Sequence, residues 1–250
     1  MSLSNPSSEE LRDQSVWIYV PAGETPTQRL TGLQVSAAHE VLSDTLGHRI
    51  VKLRLASLPA LATRVVTIAA EVALREVPVQ TVQPKSPTPW LEPERHIETM
   101  DPDIRSLAVE LRCPSERETS RAIYDWVRGN LHYAGFVADD LGALYALKER
   151  RGDCTEYAYL AVALARANNI PARMVGGYVT DRSMAPRAEE YHNWAEFFFE
   201  GAWRLVDAQK ESWLSPAQQY IAFRFYRDKQ INPVGLAHRF RVEGLVQVRI

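Results

Sequence analysis

The sequence predicts an α+β chain: a small β-sandwich over residues 1–80, a linker or wrapping loop over 81–100, and helices packed on an antiparallel sheet over 101–250. Three observations carry this reading. Apolar residues fall in short alternating runs in the first segment, their spacing becomes helical after Pro114, and it returns to a period of two from Ala172.

In chain order, Val16-Trp17-Ile18-Tyr19-Val20 is a strand-rich run closed by Pro21, and Leu33 to Ser36 is a second. Asp44-Thr45-Leu46-Gly47 is a turn signal, after which Arg49 to Leu55 alternates. Arg64 to Arg75 is the clearest strand, with Val66, Ile68, Ala70, Val72 and Leu74 on one face. Several short strands separated by turns favour a sandwich. His39 and His48 stand alone there and are expected at the surface or in structural roles. Pro84, Pro87, Pro89 and Pro93 then break regular structure, and Trp90-Leu91 is expected to dock on a neighbouring surface.

Ser115 with Glu118 three residues on is a capping box, opening a helix with Ile123, Trp126, Val127 and Leu131 at helical spacing. A second helix is expected from Leu141 to Arg150, ending at Gly152. A third starts at Cys154, shows Cys154, Tyr157, Ala158, Ala161, Leu164 and Ala165 on one face, and is ended by Asn168-Asn169 and Pro171. Ala172 to Thr180 and His192 to Phe199 read as strands flanking a polar loop from Asp181 to Glu190, which is expected to border a cleft. Glu200-Gly201 is a tight turn and Trp203 to Asp207 the return strand. A short helix from Pro216 to Phe223 and a final strand from Gly244 to Ile250 complete the chain.

Composition bounds the function. Charged residues are 24% of the chain and the net charge is −2, which offers no electrostatic footprint for nucleic acid or an anionic membrane surface. No stretch approaches the roughly 18 apolar residues of a spanning helix. The two cysteines, Cys113 and Cys154, allow a disulfide on count alone but make no framework. Cys113, near Leu111 and before Pro114, reads as a small buried hydrophobe. No CxxC or HExxH tract and no acidic loop at calcium-ligand spacing is present, so no metal and no cofactor are expected. The absence of a signal peptide favours the cytoplasm; an N-terminus shortened by cloning, with Met1-Ser2-Leu3 as a vector remnant, leaves export to the periplasm open.

Cys154 carries the chemistry. At the first turn of a helix, free N–H groups and the macrodipole favour a thiolate and can serve an oxyanion. His192 and Asp207 follow in strand settings. If Glu200-Gly201 is a two-residue turn, opposed residues have numbers summing to about 401, as the hairpin rule requires. His192 then faces Gln209, with Asp207 its diagonal neighbour on the same face, within reach of a hydrogen bond. A nucleophile, its base and the group that orients the base is one reading of the three. The other is a set of ordinary residues: a small buried cysteine, a structural histidine and a turn-forming aspartate, with Asp153 a helix cap.

The blocks Arg151-Gly152-Asp153-Cys154-Thr155-Glu156-Tyr157-Ala158, Ala165 to Arg173, Gly176-Gly177-Tyr178, His192-Asn193-Trp194-Ala195-Glu196 and Trp203 to Ala208 resemble the transglutaminase-like superfamily over roughly residues 115–215. The N-terminal β region is also similar to domains that precede such cores in bacterial members. The resemblance implies a papain-like core with Cys154 as nucleophile, His192 as general base and acid, and Asp207 as orienting acid. It implies acyl transfer through a thioester on a protein or peptide substrate. Water as acceptor makes the chain a peptidase or amidase, the favoured outcome; a primary amine makes it a transglutaminase. A non-catalytic interaction module on the same fold is the third reading. The Cys154 amide is the first candidate oxyanion donor, with Tyr133 either a side-chain donor or core.

Overall fold

The structure, a computed structural model, describes residues 1–81, 89–136, 138–229 and 232–250; Pro84 and Pro87 of the expected linker lie outside the described residues. The N-terminal segment forms β1 (Ser2–Ser4), β2 (Leu11–Val20), β3 (Gln28–Val35), β4 (His39–Ser43), β5 (Arg49–Leu58), β6 (Thr63–Val65) and β7 (Ile68–Leu74). β2 and β5 pair antiparallel from Leu11↔Leu58 to Val20↔Arg49, and β4 extends that sheet. Val16, Ile18 and Val20 bury on one face of β2 with Leu3, Val51 and Leu53, while Trp17 and Tyr19 bury on the other with Ile50 and Val234. Covering on both faces explains an apolar run without alternation. Each fully buried aliphatic side chain here stabilises by roughly 1.5–3 kcal/mol.

The expected strand from Arg64 to Arg75 is two strands. At Val66, 1% exposed, the chain turns inward, and the Thr67 N–H bonds to Ser36 Oγ, moving the chain from β1's sheet to β3's.

The helices are α1 (Pro102–Glu110), α2 (Glu116–Asn130), α3 (Ala143–Glu149) and α4 (Cys154–Ala167); a short parallel bridge joins β8 (His132–Tyr133) to β9 (Arg151–Gly152). α1 has no counterpart in the sequence reading. Its signal is Asp101, whose side chain accepts from the Asp103 and Ile104 amides, followed by Pro102 in the first turn. The Ser115/Glu118 capping box opens α2 as expected. α4 is buried on all sides rather than on one face: it packs on the sheet below and on α1, α2 and α3 around it. Ala158, Ala161, Ala163 and Ala165 keep its girth small enough for that enclosure.

The central antiparallel sheet contains β10 (Ala172–Val179), β11 (His192–Phe199), β12 (Ala202–Asp207), β13 (Ser212–Trp213) and β14 (Tyr220–Phe225), in the order β13-β12-β11-β10-β14. The expected helix from Pro216 to Phe223 is instead a single 3₁₀ turn, Ala217–Gln219, followed by β14. The open edge of β10 accounts for this, because it pairs with Tyr220 to Phe225 and satisfies their backbone. Between β11 and β12, Glu200 and Gly201 have φ of 50° and 72°, the two positive values that a type I′ hairpin turn needs. In β10, a Cβ on Gly177 would collide with the Ile221 carbonyl of β14, so the close approach of these strands requires glycine.

β14 is an edge strand sealed by the β unit. Gln28 acts as a strand mimic: its Oε1 accepts from the Ala222 N–H at 2.8 Å and its Nε2 donates to the Ala222 carbonyl at 3.1 Å. The Phe225 N–H donates to His48 Nε2 at 2.8 Å, and His48 Nδ1 meets Asp44 at 2.6 Å, giving His48 the structural role expected of it. Trp90 docks edge-on against Trp203, as its setting predicts. The last strands, β15 (Phe240–Glu243) and β16 (Gln247–Arg249), return to the N-terminal sheets, β15 beside β2 and β16 beside β1. β15 was not foreseen, and the final strand is shorter than expected.

Candidate active site

Asp153 caps α4. Its carboxylate accepts the Thr155 N–H at 2.7 Å, while Glu156 Oε2 accepts the Asp153 N–H at 3.0 Å, completing a reciprocal box. The cap, worth about 1 kcal/mol, fixes Cys154 in the first turn. β11 and β12 pair in the register anticipated from the sequence, Ala195↔Val206 to Phe199↔Ala202. His192 and Asp207 thus lie on one face, and His192 Nε2 meets Asp207 Oδ2 at 2.6 Å. Both are buried, at 5% and 2% exposure.

Cys154 joins the pair through the residue after the histidine. Asn193 Nδ2 donates to the Thr155 hydroxyl at 3.0 Å, clamping the first turn of α4 to β11. The Tyr226 hydroxyl donates to Asn193 Oδ1 at 3.0 Å and holds the amide from the other side. None of Thr155, Asn193 and Tyr226 was singled out from the sequence; Asn193 and Thr155 sit inside the motif blocks, but an amide and a hydroxyl carry no chemical signature.

The electrostatics of the thiol differ from expectation. Burial pushes Cys154 up to about 12, and the negative charges of Asp153 and Asp207 act in the same direction. Hydrogen bonds from the Asn193 backbone and the Thr155 side chain oppose this without prevailing. Burial and the two carboxylates thus favour the neutral thiol. Both cysteines are free. Cys113 is half-buried, its thiol 3.6 Å from the Leu111 carbonyl. Tyr133 is no core residue: it is 58% exposed, pairs with Gly152, and its hydroxyl lies in the field of Cys154 and Asp153. Trp194 and Trp203 are core, with Trp194 stacked 6.2 Å from His192. Among the described residues, no group of three or more His, Cys, Asp and Glu is placed to hold a metal ion, and no helix is long and apolar enough to cross a membrane.

Glu156 is the second perturbed group. Burial raises its carboxyl to about 7, aided by Asp153 and opposed by the Leu141 and Asp153 amides. A carboxyl raised on folding contributes stability below its unfolded value that is lost as pH climbs toward the folded one. The wild-type urea midpoint should accordingly fall between pH 5 and pH 8, and that slope should flatten in Glu156→Gln. Parallel slopes for the two proteins would contradict the assignment.

A family model described as the transglutaminase-like superfamily matches residues 105–208, an interval that holds Cys154, His192 and Asp207. The chain is similar to a Cytophaga hutchinsonii structure described as a "putative cysteine protease", with a TM-score of 0.70 and 22% identity over 99% of this chain and 84% of that one. It is also similar to the periplasmic domain of TgpA from Pseudomonas aeruginosa, with a TM-score of 0.48 and 20% identity over 82% and 71% of the two chains. No curated protein matches the sequence. Residues 105–208 of the chain match the transglutaminase-like superfamily model, and the fold of the protein agrees with that match.

Proposed function

We propose that the chain is a cysteine-dependent peptidase or amidase acting through a thioester. The observation that carries this reading is the buried His192–Asp207 pair at 2.6 Å, set beside the first turn of the helix that begins at Cys154. Asp207 occupies Nε2 of the ring, so Nδ1 is the nitrogen available to the thiol.

A thiol pushed up to about 12 is a poor spontaneous nucleophile. His192 therefore takes the proton as sulfur attacks, instead of holding a ready-made thiolate. Sulfur bonds to the amide carbon, and the carbonyl oxygen becomes an oxyanion facing the Cys154 amide at the helix N-terminus. The imidazolium then protonates the amine as the C–N bond breaks, leaving a thioester. Water, deprotonated by His192, cleaves the thioester, releasing a carboxylic acid and restoring the thiol.

Near neutral pH, iodoacetamide should alkylate Cys154 faster than Cys113, and His192→Ala should abolish the difference. Equal, slow labelling of both cysteines would overturn the reading. Incubation with casein and a labelled primary amine separates the acceptors. New amino groups that depend on Cys154 support hydrolysis, whereas covalent label that vanishes in Cys154→Ala would replace hydrolysis with transamidation.

A further inference from the structure

Resting on that reading, we infer that Tyr220 is a positioning residue of the site, acting through Asp207 on the proton affinity of His192. The Tyr220 hydroxyl donates to Asp207 Oδ2 at 2.9 Å, the same oxygen that meets His192 Nε2 at 2.6 Å. The other oxygen, Oδ1, accepts the Lys210 N–H at 3.0 Å. The carboxylate is thus held by three donors from three directions, and Tyr220 and His192 share one oxygen.

Tyr220 comes from the far edge of the sheet. It stands on β14, with β10 and β11 between it and β12. Its ring crosses the face that carries Trp194, packing edge-on at 5.1 Å and 74°, and Trp194 in turn stacks on His192. The hydroxyl is therefore aimed by packing, with the side chain 4% exposed. Burial and then the charge of Asp207 hold the phenol well above its ordinary range, so it remains a donor at any working pH.

A hydroxyl donating to a carboxylate draws off part of its charge. Without it, Asp207 attracts the imidazolium more strongly, and His192 releases its proton at higher pH. Asp207 from β12 meets His192, Tyr220 from β14 meets Asp207, and the charges of Asp207 and of Asp153, the cap of α4, both act on Cys154. Tyr220→Phe removes the hydroxyl's contacts with Asp207 and with Ser212, which carries no charge, and keeps the ring against Trp194.

The test is the rate of Cys154 alkylation by iodoacetamide from pH 5 to pH 9, assigned by peptide mass analysis, with Cys154→Ala as blank. In Tyr220→Phe the acid limb should move up by about half a pH unit, a roughly threefold lower rate at fixed pH below the midpoint. In an Asp207→Asn background, adding Tyr220→Phe should move the profile no further. A loss of packing alone would scale the rate without moving the limb, and that result, or superimposed profiles, overturns the inference. A wild-type profile with no acid limb overturns the functional reading itself, an outcome distinct from the first two.

Discussion

Asp207→Asn should lower Cys154-dependent turnover by about a thousandfold to ten-thousandfold while leaving the fold intact. The reason is the direction in which the new amide must point. The Lys210 N–H donates to Oδ1 at 3.0 Å, so the amide oxygen takes that place and the amide NH₂ takes the place of Oδ2. That NH₂ then faces His192 Nε2, where a carboxylate oxygen accepted a proton before. The ring must turn its lone pair toward the amide and carry its proton on Nδ1, the nitrogen proposed to receive the proton of Cys154. Since burial pushes that thiol up to about 12, little thiolate forms without the base. Amine release from casein measures the loss, and thermal melting checks the fold. A variant retaining a tenth of the activity would show that His192 does not depend on the orientation set by Asp207.

The largest stability effect is expected at Glu196→Ala. Arg173 on β10 and Glu196 on β11 are direct cross-strand partners, with Nε and Nη2 2.8 and 2.6 Å from the same carboxylate oxygen. The guanidinium lies 4.2 Å from the Trp203 ring and 4.1 Å from the Phe225 ring, and both ion-pair partners are buried. Removing the carboxylate strands a charge between aromatic faces, at a cost of about 3–5 kcal/mol. Replacing both partners by apolar residues should cost much less, because no unpaired charge remains. Urea unfolding of the single and double variants checks this. A single variant within 1 kcal/mol of wild type would mean, given the usual cost of an orphaned buried ion, that solvent reaches Arg173.

The parts of the site that could be read in the sequence follow local rules. A turn signal before an amphipathic run places Cys154 at a helix start, and the parity of a two-residue hairpin places His192 and Asp207 on one face. What could not be read depends on segments distant in the chain. Tyr220 follows Pro216 and Ala217-Gln218-Gln219, a stretch that reads as helix until the vacant edge of β10 is known. The enclosure of α4 by three other helices and a sheet is likewise reported by no single periodicity. β15 is short and half-exposed, so its alternation is weak until β2 is available to pair with it. α1 is a different case, since Asp101-Pro102 is itself a local start signal, an N-cap followed by proline in the first turn.

The return of β15 and β16 to β2 and β1 bears on the order in which the molecule can be assembled. Residues 2–20 precede the segment that carries Cys154, His192 and Asp207 in the chain, whereas their outer strand partners follow it. During synthesis, β2 can zip to β5 early, but its other edge stays open until Phe240 to Glu243 arrive. The β unit is therefore closed by strands from both sides of the site segment. The segment with the histidine and aspartate is thus bracketed, in sequence, by strands that pair with one another, so the β layers tie together the two ends of the stretch that carries the site.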